Sequence, residues 1–305
     1  MNDARRAATP GGTGLGREWR EDLLLLPAVI VAAAVVGIPI LRVVQLSLSR
    51  VELDGGLKIA WNGLGQFVRL WQDGRWWIAL RNTTEFTVLS IVCEMALGVA
   101  GALLLHRSFR GRGAARALVV LPWALPTAVM SLGWAWIFND AFGVMNDLLL
   151  RIGVLDHPVA WLGRPDTAMA AMVVADVWKT TPFVTLVVLA GLQGISVEVQ
   201  EAAALDGLTG RQRLRHIVLP LLGPALLVAL VFRIIQAFGA FDVVYVMTGG
   251  GPGGSTETVS LYAYKNYFRY LDFAYGSAVA VQSVLLVGLV TAALMRLSSG
   301  SRGTR

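Results

Sequence analysis

Apolar stretches of about twenty residues, long enough to cross a ~30 Å hydrocarbon core, recur six times along the chain once a few embedded polar residues are allowed. They predict membrane helices over residues 23–41, 82–105, 117–138, 167–192, 217–241 and 276–295. The first span carries no charge and reads as an uncleaved anchor, with a signal peptide as the competing reading. The later spans hold polar groups: Glu85 and Glu94 in the second, Asp176 and Lys179 in the fourth, Arg233 and Gln236 in the fifth. Pro122 and Pro126 lie in the third, where neighbouring helices can satisfy the backbone groups that proline frees.

Composition agrees with this pattern. The 305 residues are 55% hydrophobic and 15% charged, too apolar for a water-facing surface, so the expected fold class is an all-α polytopic membrane protein. One cysteine, Cys93, excludes a disulfide framework, and three scattered histidines give no metal-ligand spacing. The net charge of +6 is not a nucleic-acid signature, because the basic residues sit in short loops between apolar runs. Residues 106–116 hold four arginines and no acid, the 193–216 loop three, and the segment after Met295 three, which places them on the cytoplasmic side. Residues 139–166 hold two arginines against four aspartates and belong outside. The 47–81 connection dissents with five basic residues, but long loops weigh less. Both termini are therefore expected in the cytoplasm, with 1–22 as an N-terminal segment and 298–305 as a tail. The chain shows no internal repeat and no G-x-x-x-x-G-K-S/T phosphate loop, so an energy source must lie on another protein.

Between the fourth and fifth spans the sequence reads Glu201-Ala202-Ala203-Ala204-Leu205-Asp206-Gly207, then nine residues, then Ile217-Val218-Leu219-Pro220. Strong helix formers end at Gly207 and Gly210, which predicts a short cytoplasmic helix within 197–210. This segment resembles the permease signature of bacterial ABC importers, E-A-A, three residues, G, nine residues, I-x-L-P, at every fixed position. After the fifth span, Thr248-Gly249-Gly250-Gly251-Pro252 followed by Thr256 is similar to the outer loop of carbohydrate permeases of the MalF or UgpA type. Trp178 and Pro182, Leu121, Pro122 and Pro126, and Gly143 with Asn146 extend the resemblance to about residues 20–297.

The resemblance implies a MetI-like, type I importer permease. Glu201, Ala202, Ala203, Asp206, Gly207, Ile217, Leu219 and Pro220 would form the coupling element that docks into a separate ATPase. Thr248, Gly249, Gly250, Gly251 and Pro252 would face a soluble sugar-binding protein outside. It also implies a second, homologous permease forming a heterodimer and two ATPase subunits, which would hold ATP and magnesium, so that this chain needs no cofactor and performs no chemistry itself.

A sugar crossing a bilayer needs hydrogen-bond partners and aromatic faces turned inward. Asp176, Thr180 and Phe183 stand at i, i+4 and i+7 on one helical face, and Trp123 and Thr127 form an i, i+4 pair beside the prolines. By position both sets fall where the resembling maltose permeases line their sugar site, although the residue types differ. Arg233 and Gln236, with Asp242, add donors and acceptors from the fifth span. Asp176 has two candidate partners, Arg233 and Lys179. Glu85 and Glu94 lie nine residues apart, about 180° around a helix, so they form no single site and suit helix packing or a lateral salt bridge. Trp76, Trp77, Trp134 and Trp136 read as membrane-interface anchors, and Tyr262, Tyr264, Tyr267 and Tyr270 as outer contacts. The expected cargo is a disaccharide such as trehalose or maltose. Glycerol phosphate drawn by Arg233 and a proton-coupled secondary transporter are the alternatives.

Overall fold

The computed structural model describes residues 26–53 and 57–300. The expected N-terminal segment 1–22, the start of the first span at 23–25 and the end of the tail at 301–305 lie outside the described residues. Among the described residues four uninterrupted helices are long and apolar enough to cross a membrane: α1 (Leu26–Ser47), α3 (Gly74–His106), α7 (Pro165–Gln193) and α13 (Phe273–Gly300). Two bent pairs, α4 (Arg112–Ala124) with α5 (Thr127–Ile137) and α9 (Gly210–Leu221) with α10 (Gly223–Phe238), bring the number of spans to six if each pair counts as one.

The bends have local causes. The third expected span turns by 93° at Leu125–Pro126. Proline disfavours the helical region for the residue before it, and Leu125 is extended at φ −71°, ψ 139°. The fifth turns by 64° at Leu222, where Pro220 and Pro224 deprive the neighbouring turns of two N–H donors.

Helix α7 is the most buried span and packs most extensively against α3, with α10 across both. Small residues allow this closeness, Gly98 on α3 facing Val184 on α7. Helix α1 packs chiefly on α13 and otherwise presents Val29, Val35 and Leu41 outward, as a lipid-facing helix does.

The 47–81 connection is structured. Its chain forms an antiparallel hairpin, β1 (Ser49–Leu53) with β2 (Leu57–Trp61), pairing Val51 with Ile59, then α2 (Gly65–Gln72). Helix α3 begins eight residues before the predicted start, because the Asp73 side chain caps it by accepting the Arg75 amide at 2.9 Å. At a 1.5 Å rise per residue its 33 residues span roughly 50 Å, so its first turns can stand clear of the hydrocarbon. This earlier start corrects the reading of Trp76, which is fully buried against Tyr262 and Tyr275 rather than anchored at an interface. Trp77, about 100° further around the helix, stays exposed and donates to the Trp71 carbonyl at 3.0 Å.

Candidate functional site

Three spans converge on one buried guanidinium. Arg233 of α10 is 2% exposed, and its Nη2 donates to Glu94 Oε1 of α3 at 2.8 Å and to Asp176 Oδ2 of α7 at 3.0 Å. Its Nε also donates to Glu94, and its Nη1 to Gln236 Oε1 at 2.9 Å. Glu94 is 0% exposed and accepts a further bond from Thr180 Oγ1 at 2.6 Å. A carboxylate or guanidinium within the bilayer is tolerated when paired and hydrogen-bonded; both carboxylates here are paired with Arg233, and Glu94 accepts hydrogen bonds on both oxygens. Of the two partners open to Asp176, Arg233 is the one bonded. Lys179 turns elsewhere: its Nζ donates to the carbonyls of Trp123 at 3.3 Å and Leu125 at 2.7 Å, where the bend leaves acceptors without helical partners. Glu85 lies exposed on the other side of α3.

Beside this centre runs an aromatic row. Trp123 stacks on Phe183 with centroids 6.1 Å apart, and Phe183 meets Phe232 at 5.9 Å. Trp123, Phe232 and Gln236 are exposed, Thr127 and Phe183 half-buried, and Asp176, Thr180 and Arg233 buried. The expected site residues thus separate into an accessible face and an ionic layer linked to it through Gln236. Sequence reasoning missed Phe232, although its i, i+4 relation to Gln236 places it on that face.

Helix α8 (Val197–Leu205) lies past the far end of α7, with Val197, Glu201, Ala202 and Leu205 exposed, Leu205 to 88%. The side chain of Ala203 lies outside the described residues. Gly207 turns the chain at φ +74°, a conformation that strains residues with a Cβ. Asp206 is exposed at that turn, and Thr209 and Gln212 close a capping box that starts α9. Ile217 and Leu219 are half-buried there, and Pro220 is exposed.

The glycine-rich loop, a bare flexible turn by composition, is fastened along its length. Thr248 Oγ1 and Thr256 Oγ1 lie 2.8 Å apart, and Thr256 donates to the Gly251 carbonyl at 2.7 Å, beside the cis Gly251–Pro252 bond. Gly249 and Gly250 take φ of 61° and 89°. Asn82 of α3 donates to the Gly254 and Glu257 carbonyls, and buried Glu257 receives Lys265 at 2.6 Å and Arg75 at 3.1 Å. The helix after the loop, α12 (Val259–Tyr264), brings Tyr262 to Asp73. Tyr262 is therefore buried, which corrects its reading as an outer contact.

Burial pushes the Asp73 carboxyl upward, but hydrogen bonds from Tyr262, Tyr275 and the Arg75 amide outweigh it and hold the group below its usual range. Burial and the same Asp73 bond push the Tyr262 phenol up to about 12. Asp73 thus stabilises the end of the bundle that carries the glycine-rich loop above its unfolded pKa, and this is lost as pH falls through the depressed folded value. Tyr262 contributes below its ordinary value of 10.0, and this is lost as pH rises from there toward about 12. Thermal melts between pH 10 and 12 should fall steeply for the native chain, and Tyr262→Phe should flatten that fall. An unchanged slope in the variant would refute the assignment.

A family model described as binding-protein-dependent transport system inner membrane component matches residues 94–301, from the buried glutamate past α8 to the end of the last span. The chain belongs to that family. This inner-membrane component is 40% identical over 265 residues to the trehalose/maltose transport system permease protein MalF of Thermococcus litoralis, covering 87% of this chain and 88% of the relative. It is 37% identical to the trehalose transport system permease protein SugA of Mycobacterium tuberculosis, covering 88% and 84%. A chain of a bacterial ABC transporter involved in import of the acidic polysaccharide alginate superposes with a TM-score of 0.82 at 22% identity, covering 95% of this chain and 98% of that one, and so shares the fold. The protein is a permease subunit with the type I importer fold, dependent on a binding protein, while ATP hydrolysis belongs to a separate subunit.

Proposed function

We propose that this permease conducts a neutral disaccharide of the trehalose or maltose kind, released by an extracytoplasmic binding protein, and is driven by ATPase subunits that grip α8. The observation carrying this reading is the exposure of α8 at the end of the most buried span, with Leu205 and Glu201 unpartnered among the described residues. A helix with that surface has no use within the chain and suits a groove on another protein. The rest of the assembly is a second, similar permease, two ATPases holding ATP and magnesium, and the binding protein above the fastened loop at Thr248–Pro252. Both termini lie in the cytoplasm with α8. ATP binding turns the paired permeases outward and hydrolysis returns them.

The cargo reading is supported by the similarity to trehalose and maltose permeases and by the accessible row of Trp123, Phe183 and Phe232 beside Gln236, which offers ring faces to C–H surfaces and an amide to hydroxyls. Glycerol phosphate is disfavoured because Arg233 is buried and directs its N–H groups to Glu94, Asp176 and Gln236. A proton relay is disfavoured because Glu94 is bridged to that same cation.

Glu201→Lys with Gly207→Trp should abolish co-purification of the ATPase and sugar uptake together while leaving the permease folded. Retained assembly and uptake would sink the coupling role. For the cavity, Trp123→Ala and Phe232→Ala should each raise the half-saturating sugar concentration for uptake roughly 3- to 10-fold, without changing sugar binding by the soluble receptor. Uptake at native affinity in both variants would place the sugar elsewhere.

A further inference from the structure

We propose that a cleft at the base of α8 binds the phosphodiester headgroup of an anionic phospholipid. The cleft, about 520 Å³, opens between the ends of α3, α7 and α9. That volume lies within the range of ordinary small-ligand sites. Its polar lining is His106, Arg107, Arg211 and Arg213, with no carboxylate among the lining residues. Among the described residues none of these three guanidinium groups is given an ion-pair or hydrogen-bond partner. His106 lines the cleft beside them and is only partly buried.

Basic loop residues ordinarily splay into water and merely set orientation. Here they converge on one hollow whose remaining walls, including Leu103, Leu192 and Val218, are apolar and belong to the ends of membrane helices. Low-dielectric walls around like charges focus the field on an anion. An amphiphile fits both parts, its phosphate on the arginines and its glycerol and first methylenes on the leucines. Basic pockets between helices at the cytoplasmic end are where anionic headgroups settle. A carboxylate of the ATPase would satisfy the charges but not the apolar wall. Because the cleft touches both helices flanking α8, a lipid seated there would stiffen the corner that carries it. That regulatory consequence rests on the proposed role of α8, whereas lipid binding rests only on the membrane placement.

The test uses the assembled transporter in nanodiscs of phosphatidylcholine with or without phosphatidylglycerol, and native mass spectrometry of retained lipid. The native protein should hold phosphatidylglycerol in preference to phosphatidylcholine. Arg107→Gln/Arg211→Gln/Arg213→Gln should weaken that retention roughly 100-fold, at roughly fivefold per charge. Arg110→Gln, outside the cleft, should leave it unchanged. Equal retention by the triple variant would overturn the proposal. So would inorganic phosphate displacing the lipid and binding in its place, or loss of the ATPase from the triple variant with lipid retention intact. If the triple variant does not assemble, phenylglyoxal labelling of the native protein decides: phosphatidylglycerol should protect Arg211 and Arg213, and equal labelling in both lipids overturns the site. Lipid retention that persists when the α8 substitutions leave ATPase assembly intact would count against the coupling reading and leave this one standing.

Discussion

Arg233→Met is expected to destabilise the chain by about 3–5 kcal/mol, because it strands two buried carboxylates without a counter-charge. Glu94 and Asp176 come from different spans, so the guanidinium neutralises repulsion between α3 and α7 as well as tying each to α10. A buried ion cluster adds little over an apolar cluster of the same volume, but removing one member is costly. Glu94→Leu/Asp176→Leu/Arg233→Met should therefore recover most of the lost stability. Melting of detergent-solubilised protein, followed by size-exclusion fluorescence, separates the cases. An Arg233→Met protein that melts with the native one would mean that the charges are not desolvated as described.

The second large effect is expected at Gly98. A Cβ there would lie 2.5 Å from Val184 Cγ1 and 2.7 Å from Val184 Cβ, and the β-branched valine has no rotamer that clears both. Overfilling a close contact costs about 1–3 kcal/mol for small additions, and more when backbones must part. Gly98→Leu should prevent α3 and α7 from closing and leave little folded protein in the membrane. Gly101→Ala, whose Cβ would meet Thr185 Oγ1 at 3.0 Å, should be milder. Gly288→Ala, with nothing within 4 Å, should be neutral. Equal melting temperatures for all three would show that this interface is looser than its geometry.

The six apolar stretches were legible because lipid demands about twenty apolar residues per crossing, a signal that survives an embedded Glu94 or Arg233. The shapes of the third and fifth spans were not. Pro126 and Pro224 announce lost hydrogen bonds, but the angles of 93° and 64° depend on what lies against each bend. The 47–81 segment was unreadable as structure, since two five-residue strands and one eight-residue helix carry weak periodicity, and the partners that bury Trp76 lie nearly two hundred residues away. At the candidate site, helical spacing placed Asp176, Thr180 and Phe183 on a common face, and Arg233 was one of two partners open to Asp176. Spacing within one helix could not show that Glu94 would complete the cluster, because that contact joins residues 139 positions apart.

The ammonium of Lys179 gives the third span a dependence of its own. Two carbonyls at its corner, those of Trp123 and Leu125, find their donor on the fourth span. In hydrocarbon an unsatisfied carbonyl costs several kcal/mol. The third crossing is thus not a self-sufficient membrane segment, and the smallest unit that can rest in a bilayer with these groups satisfied is the third and fourth spans together.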